Sequence, residues 1–176
     1  MVEKTDKEIA AWYNGLAESY DELYGPEQSH KHELLIDRLS NDEFKLTVDV
    51  GCGTGALLQS LEGRSQYSVG LDLSLAMLKV AGKRKLERID FVLATMQNLP
   101  IRDNCADCIV SVSAIQADNW LPQRASELKR IRQARSFLAV SIFNEWKDQM
   151  HQLFSDPFET ATVSNRENIY FFQRNK

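Results

Sequence analysis

The sequence predicts an α/β fold, a three-layer αβα sandwich around a mostly parallel sheet, and three observations carry that expectation. Short apolar runs alternate five times with segments of helical character between residues 46 and 143. The first run ends in a glycine-rich turn, VDVGCGTG at 48–55, which takes three of the chain's 8 glycines. Near the end of the chain, ETATVSN and NIYFFQ read as two strands folded back around Asn165-Arg166, a hairpin.

Two helical segments come first, around Ile9 to Leu16 and from Glu27 to Leu39. LTVDV (46–50) is a short apolar strand, and after the glycine turn ALLQSL turns Ala56, Leu57, Leu58 and Leu61 inward as a short helix. YSVGLDL (67–73) is the second strand; Ser74 caps a helix to about Gly82 with Met77, Leu78 and Ala81 at helical spacing. IDFVLA (89–94) is the third strand, followed by a loop ending in Leu99-Pro100, and CIVSVSAI (108–115) is the fourth, β-branched as a buried parallel strand would be. A basic helix spans about 122–134, SFLAVSIF (136–143) is the fifth strand, and a short helix runs from about Glu145 to Leu153 before the hairpin. In such sheets ligands bind at the carboxyl ends of the strands near the point where strand order reverses, which puts the glycine turn at the mouth of a site.

Composition narrows the function. With 176 residues, 43% hydrophobic and 26% charged, the chain fits one globular domain. Its apolar runs fall well short of the roughly 20 residues of a membrane span, and the polar start MVEKTDKEIA lacks the plan of a signal peptide, so a cytoplasmic protein without a membrane partner is expected. Cys52, Cys105 and Cys108 are too few for a disulfide framework, and the C-x-x-C of the last two lacks a second pair of ligands, so no metal is expected. The net charge of −4 gives no nucleic-acid footprint overall, and DNA is not expected as a partner. Two basic clusters, Lys79, Lys83, Arg84, Lys85 and Arg88, then Arg124, Lys129, Arg130, Arg132 and Arg135, read either as solvated helix faces or as contacts to a phosphate-bearing substrate.

GCGTGA alone also satisfies the dinucleotide fingerprint. Its neighbours argue otherwise. Asp49, two residues before Gly51, would repel a pyrophosphate but serve a ligand with an ammonium group, and Asp72, at the end of the second strand, can accept hydrogen bonds from both hydroxyls of a ribose. A nucleoside with a cationic tail fits this pair, and S-adenosylmethionine is such a molecule.

VDVGCGTG, the GLDLS that contains Asp72, and the later MQNLP and ADCIVSVSAI resemble the class I S-adenosylmethionine-dependent methyltransferases, from about Tyr13 to the end. The resemblance implies a Rossmann-like fold with a seven-stranded, mostly parallel sheet and a C-terminal antiparallel hairpin. It also implies one methyltransferase domain over 1–176, with residues 1–40 as a helical lid in which Tyr13, Tyr20 and Asp21 close over the cofactor; packing of these aromatics against the sheet is the alternative. By the same likeness Asp49, Gly51, Cys52, Gly53 and Gly55 would line the methionine portion of S-adenosyl-L-methionine, Asp72 would bind the ribose, and Leu73 would lie beside the adenine. Met77 would pack nearby or serve as plain core, and Thr95, Met96 and Ser111 complete the expected cofactor set. The family usually carries an Asp where this chain has Thr95; a hydroxyl accepts a hydrogen bond without the charge assistance of a carboxylate.

The acceptor region, SVSAIQADNW, lacks the Asn-Pro-Pro-Tyr and Asp-Pro-Pro-Tyr motifs of glutamine and exocyclic-amine methylation and the Pro-Cys nucleophile of carbon methylation. His30 and His32 could act as bases or lie idle on a helix. SVSAIQ is similar to a segment of the methyltransferases that modify guanine N7 in small-subunit ribosomal RNA, which makes Ser113, Gln116 and Trp120 candidates for acceptor contacts. That likeness implies an RNA or other macromolecular acceptor and a small zinc-binding activator protein as partner; a small-molecule methyltransferase and a non-catalytic S-adenosylmethionine-binding module are the other readings.

Overall fold

The computed structural model describes residues 5–39, 43–115, 121–154, 158–164 and 166–173. In chain order these form α1 (Asp6–Leu16), α2 (Tyr20–Leu39), β1 (Phe44–Val50), α3 (Ala56–Ser60), β2 (Ser65–Asp72), α4 (Leu75–Lys83), β3 (Ile89–Leu93) and β4 (Ala106–Ser111). There follow α5 (Leu121–Ile131), β5 (Arg132–Phe143), a 3-10 turn (Asn144–Trp146), α6 (Lys147–Leu153), β6 (Phe158–Thr162) and β7 (Glu167–Gln173).

The seven strands make one sheet in the order β3-β2-β1-β4-β5-β7-β6. The first five run parallel, and β7 lies antiparallel to both β5 and β6, so the expected hairpin closes one edge. Side chains alternate across the sheet with the two-residue period of a strand. Ile109, Leu138, Val140, Tyr170 and Phe172 face a core shared with Ala125, Leu128 and Ile131 of α5, while Cys108, Val110, Phe137, Ala139, Ile169 and Phe171 face Leu35 and Leu39 of α2 and Leu57 beside them. Helices therefore cover both faces, and strand order reverses between β1 and β4, beside the glycine turn.

Three element boundaries depart from the sequence expectation, each for a tertiary reason. α2 begins at Tyr20 instead of Glu27 and runs through Gly25-Pro26. Proline removes one helical N–H, but the first turn is held from outside by a tilted ring contact of Tyr20 with Tyr13 and by the ion pair of Asp21 with Arg84, and within the helix by the contact of Tyr20 with Tyr24. β5 begins at Arg132, which the basic pattern assigned to a helix; its Nε donates to Ser136 Oγ (2.8 Å) and Nη2 to the Phe172 carbonyl (3.2 Å), so the guanidinium is consumed inside the sheet. β4 ends at Ser111 and not at Ile115, because Ser113 takes a left-handed backbone (φ 59°) and its N–H donates to Ser141 Oγ at 2.6 Å.

Arg130 pairs with Glu127 and Asp103, and Lys129 donates to the Leu153 carbonyl. Much of the second basic cluster thus serves the fold. Among the described residues, no helix is long and apolar enough to cross a membrane and no group of three or more His, Cys, Asp or Glu could hold a metal ion.

Candidate active site

The glycine turn joins β1 to α3 at the centre of the sheet. The N–H groups of Gly51 and Cys52 both donate to the Leu71 carbonyl (2.7 and 3.0 Å), which ties the turn to β2. Gly51, Gly53 and Gly55 all have positive φ (84°, 53° and 75°), a region where glycine is strongly favoured, yet the space around each differs. A Cβ on Gly51 would fall 2.1 Å from Cβ of Ala114, in the loop after β4. One on Gly55 would press at 3.1 Å on both Phe91 and Ala81. One on Gly53 would meet nothing within 4 Å, because that side of the turn faces a cavity.

Two cavities meet at this turn, sharing Tyr20, Gly51, Gly53 and Val112 in their walls. One runs along the ends of β2 and β3, past Asp72, Leu73, Met77 and Ala94 to Gln97, and is closed over by Asp6, Ile9 and Tyr13 of α1. The other runs between the turn and α2, past Asp49, Cys52 and Thr54 to Gln28, Ser29 and His32, with Asp21 and Arg84 at its far end. Both helices of the N-terminal segment thus stand over the site. α1 is held by Asn14, whose Oδ1 accepts from Ser74 Oγ (2.7 Å) and the Ala76 N–H (3.1 Å) at the start of α4. For α2 the hold is Arg84, which donates to the Thr54 carbonyl at 2.6 Å and pairs with Asp21.

The electrostatics are set by two carboxyl groups. Asp72 accepts the Gly53 N–H on Oδ2 and the Ser74 N–H on Oδ1, both at 2.8 Å. Burial raises its pKa, and the backbone bonds from Ser74, Gly53 and Leu73 oppose the rise. Each oxygen keeps a second acceptor position, the arrangement that two adjacent hydroxyls require. Asp49 lies one strand over, 2% exposed, and burial together with the charge of Asp72 pushes its pKa up to about 8. A neutral Asp49 at the wall of a cavity is poised to ionise when a cation arrives. Burial, Tyr13 and Asp72 push the Tyr20 phenol well above its ordinary range, so it is present as an O–H donor. His32 is lowered to about 4 by burial and by Lys31, and is neutral at neutral pH.

Several residues chosen from the sequence come together here: Tyr20, Asp49, Gly51, Cys52, Gly53, Asp72, Leu73, Met77, Thr95, Met96 and Ser113 line one cavity or both. Two do not. Gly55 lines neither and serves close packing of α3 against α4 and β3, while Ser111 is fully buried and donates to the Val50 carbonyl at 2.8 Å, joining β4 to β1. The Cys52 side chain belongs to the small core with Leu58 and Leu78. Gln116 and Trp120 lie outside the described residues, and His30 is exposed and lines neither cavity. Asp6 and Lys31 were missed, and Arg124 was named only within a basic cluster. Arg124 is 5% exposed and lines the first cavity, as Ser113 does. Lys31 is 1% exposed, paired at 2.7 Å with both Glu27 and Glu167, and donates to Ser113 Oγ at 2.7 Å.

A family profile described as "Methyltransferase domain" matches residues 48–140, from the glycine turn to β5. The chain belongs to the methyltransferase domain family. Curated relatives include a demethylmenaquinone methyltransferase of Renibacterium salmoninarum, 28% identical over 164 residues (91% of this chain, 66% of the relative). A malonyl-[acyl-carrier protein] O-methyltransferase of Marinomonas sp. is 33% identical over 114 residues (62% and 42%). An 18S rRNA (guanine-N(7))-methyltransferase of Arabidopsis thaliana is 35% identical over 91 residues (50% and 30%). The chain thus spans two thirds or less of the length of these relatives. Among solved structures of the same fold, an S-adenosyl-L-methionine-dependent methyltransferase candidate of Methanococcus maripaludis superposes with TM-score 0.74 at 19% identity (100% of this chain, 98% of that one). A complex of the Haloferax volcanii Trm112 methyltransferase activator with a methyltransferase gives TM-score 0.71 at 20% identity (85% and 77%). S-adenosylmethionine is the methyl donor of the methyltransferase family, and the open space at Gly53 and the two carboxyl groups fit its ribose and ammonium.

Proposed function

We propose that this methyltransferase-family chain transfers a methyl group from S-adenosylmethionine to a macromolecular acceptor, with an RNA ring nitrogen as first candidate, and works beside a small zinc-binding activator protein. Bound, the cofactor supplies a methyl carbon activated by its sulfonium. The chain's residues supply position: Asp72 takes the ribose hydroxyls, Asp49 answers the ammonium, and Gly51 and Gly53 admit the backbone close to the methionine part. The observation that carries the acceptor reading is the chemistry of the cavity's end near Val112, Ser113 and Ala114. Among the described residues there, Ser113 Oγ accepts from the Lys31 ammonium at 2.7 Å, and Arg124 lines the same cavity. An acceptor atom with a free lone pair at neutral pH, such as a purine N7, asks for no base from this loop.

Support for the activator comes from the β3 edge of the sheet, whose outer side has no partner strand among the described residues and beside which Leu93 and Tyr67 are exposed. The likenesses to the rRNA methyltransferase and to the Trm112 complex point the same way. A second reading, a carboxylate acceptor as in the malonyl-carrier relatives, is favoured by the buried Arg124 guanidinium and also needs no base. Methyl-labelled S-adenosylmethionine separates the two: label entering small-subunit rRNA, with a yield raised by the activator, is the expected outcome. Label entering a malonyl thioester instead selects the second reading, and cofactor binding without transfer to any acceptor leaves a binding module.

A further inference from the structure

We propose that Asp6, in the first turn of α1, is the residue that receives the amino group of the adenine, so that the helix covering the cavity also completes it. The inference rests on the placement of adenosine in the cavity along β2 and β3. The wall of that cavity carries, besides Asp72, the apolar Leu73, Ala94, Met96 and Leu99 and a polar cluster of Asp6, Thr95 and Gln97 joined by hydrogen bonds. In this placement the sugar is held at Asp72, the ring lies against the apolar residues and its amino edge meets the polar cluster.

The Thr95 hydroxyl donates to Asp6 Oδ2 at 2.7 Å and also contacts Gln97 Oε1; its oxygen keeps acceptor capacity but no charge, so the carboxylate beside it is the stronger acceptor. Asp6 Oδ1 accepts from Gln97 Nε2 at 3.1 Å. Each carboxylate oxygen offers two acceptor positions, and one protein donor on each leaves capacity for an exocyclic N–H. A bond to a charged acceptor is about twice as strong as one to a neutral hydroxyl.

The carboxylate is held firmly enough to discriminate. Thr5 caps α1 in a reciprocal box with Glu8: the Thr5 N–H donates to Glu8 Oε2 at 2.8 Å, and the Glu8 N–H donates to Thr5 Oγ1 at 3.3 Å. Further along the N-terminal segment, Asn14 caps α4 and Glu18 pairs with Lys83 at 2.7 Å. Asp6 is therefore a fixed part of the wall.

The same contacts could serve only to pin α1 to the β3 loop, and the test must separate pinning from recognition. The probes are S-adenosylhomocysteine and its 6-deamino analogue, in which hydrogen replaces the adenine amino group, titrated calorimetrically into the wild type, Asp6→Ala, Asp6→Asn and the double variant Asp6→Ala/Thr95→Asp. The wild type should prefer the amino compound by about tenfold or more, the worth of one bond to a charged group. Asp6→Ala and Asp6→Asn should weaken S-adenosylhomocysteine and leave the analogue unchanged, so that the preference collapses, and Thr95→Asp should restore it. Equal weakening of both ligands, or an unchanged preference, overturns the proposal in favour of a pin. A wild type that binds neither compound overturns the adenosine placement itself, a failure distinct from the loss of discrimination alone.

Discussion

Asp49, next to last in β1, and Asp72, last in β2, stand on adjacent parallel strands at the glycine turn, and the charge of Asp72 adds to burial in raising the Asp49 pKa to about 8. The ordinary value is near 3.8, so in the free protein Asp49 keeps its proton across the neutral range. An ammonium ligand reverses the balance, since the charged carboxylate is then the favoured form. Affinity for S-adenosylmethionine should accordingly rise between pH 6 and pH 8, and binding near pH 7 should release protons. Titrations in two buffers of different ionisation enthalpy should give different heats; equal heats would exclude Asp49 as the ammonium partner. Stability has the opposite sign. Because the folded state binds this proton more tightly than the unfolded one, the Asp49 contribution to stability of the free protein declines as pH rises from about 4 to about 8. Asp49→Asn should remove that decline while weakening the cofactor.

Gly53 and Gly55 are two residues apart and have opposite expectations. Alanine at Gly53 enters the cavity, with a strain cost of about 1–2 kcal/mol from the left-handed backbone, so cofactor affinity should fall more than thermal stability does. Alanine at Gly55 carries similar strain and in addition presses on Phe91 and Ala81. There the melting temperature should drop while the protein that remains folded binds normally. Melting curves with and without S-adenosylhomocysteine distinguish the two; a normal ligand-induced shift in Gly53→Ala would remove this face of the turn from the site.

Removing the Asp72 carboxylate should weaken S-adenosylmethionine by about 2–3 kcal/mol, the loss of hydrogen bonds to a charged group. It also leaves the Gly53 and Ser74 N–H groups without their acceptor, so Asp72→Ala should be less stable than Asp72→Asn. Calorimetric affinity and melting temperature measured on both variants check the two effects separately. Unchanged affinity would refute the ribose assignment.

What was legible in the sequence is local. β-branched and apolar runs marked the strands between residues 46 and 143, the hairpin was visible around Asn165-Arg166, and the spacing of Asp49, the glycines and Asp72 pointed to the turn where the two cavities meet. Long-range contacts hid the rest. Lys31 looks like an ordinary solvated helix lysine until Ser113, 82 residues away, and Glu167 are folded against it, and Asp6 acquires its place only beside Thr95, 89 residues away. The expected start of α2 at Glu27 falls short of Tyr20 because the Tyr13 ring and the Arg84 guanidinium that hold its first turn come from elsewhere in the chain. Gly55 was grouped with Gly53 because the motif makes them equivalent, and only the packing of Phe91 tells them apart.

The last prediction concerns Lys31, which joins α2 to β7 and to the acceptor loop at once. Its ammonium and the Glu167 carboxylate are 2.7 Å apart with side chains 2% and 6% exposed, so deleting one strands the other in the interior. Lys31→Met should lower the unfolding free energy by about 3–5 kcal/mol, the range for breaking a buried pair by removing one partner. Changing Glu167 to Gln in the same chain removes the stranded charge, and the double variant should recover much of the loss in a denaturant titration. The same substitution releases Ser113 Oγ from its 2.7 Å bond while leaving Asp49 and Asp72 untouched. Methyl transfer should therefore fall in the double variant with cofactor affinity preserved. If transfer and cofactor affinity fell together, Lys31 would act on the whole N-terminal segment and not on the acceptor loop.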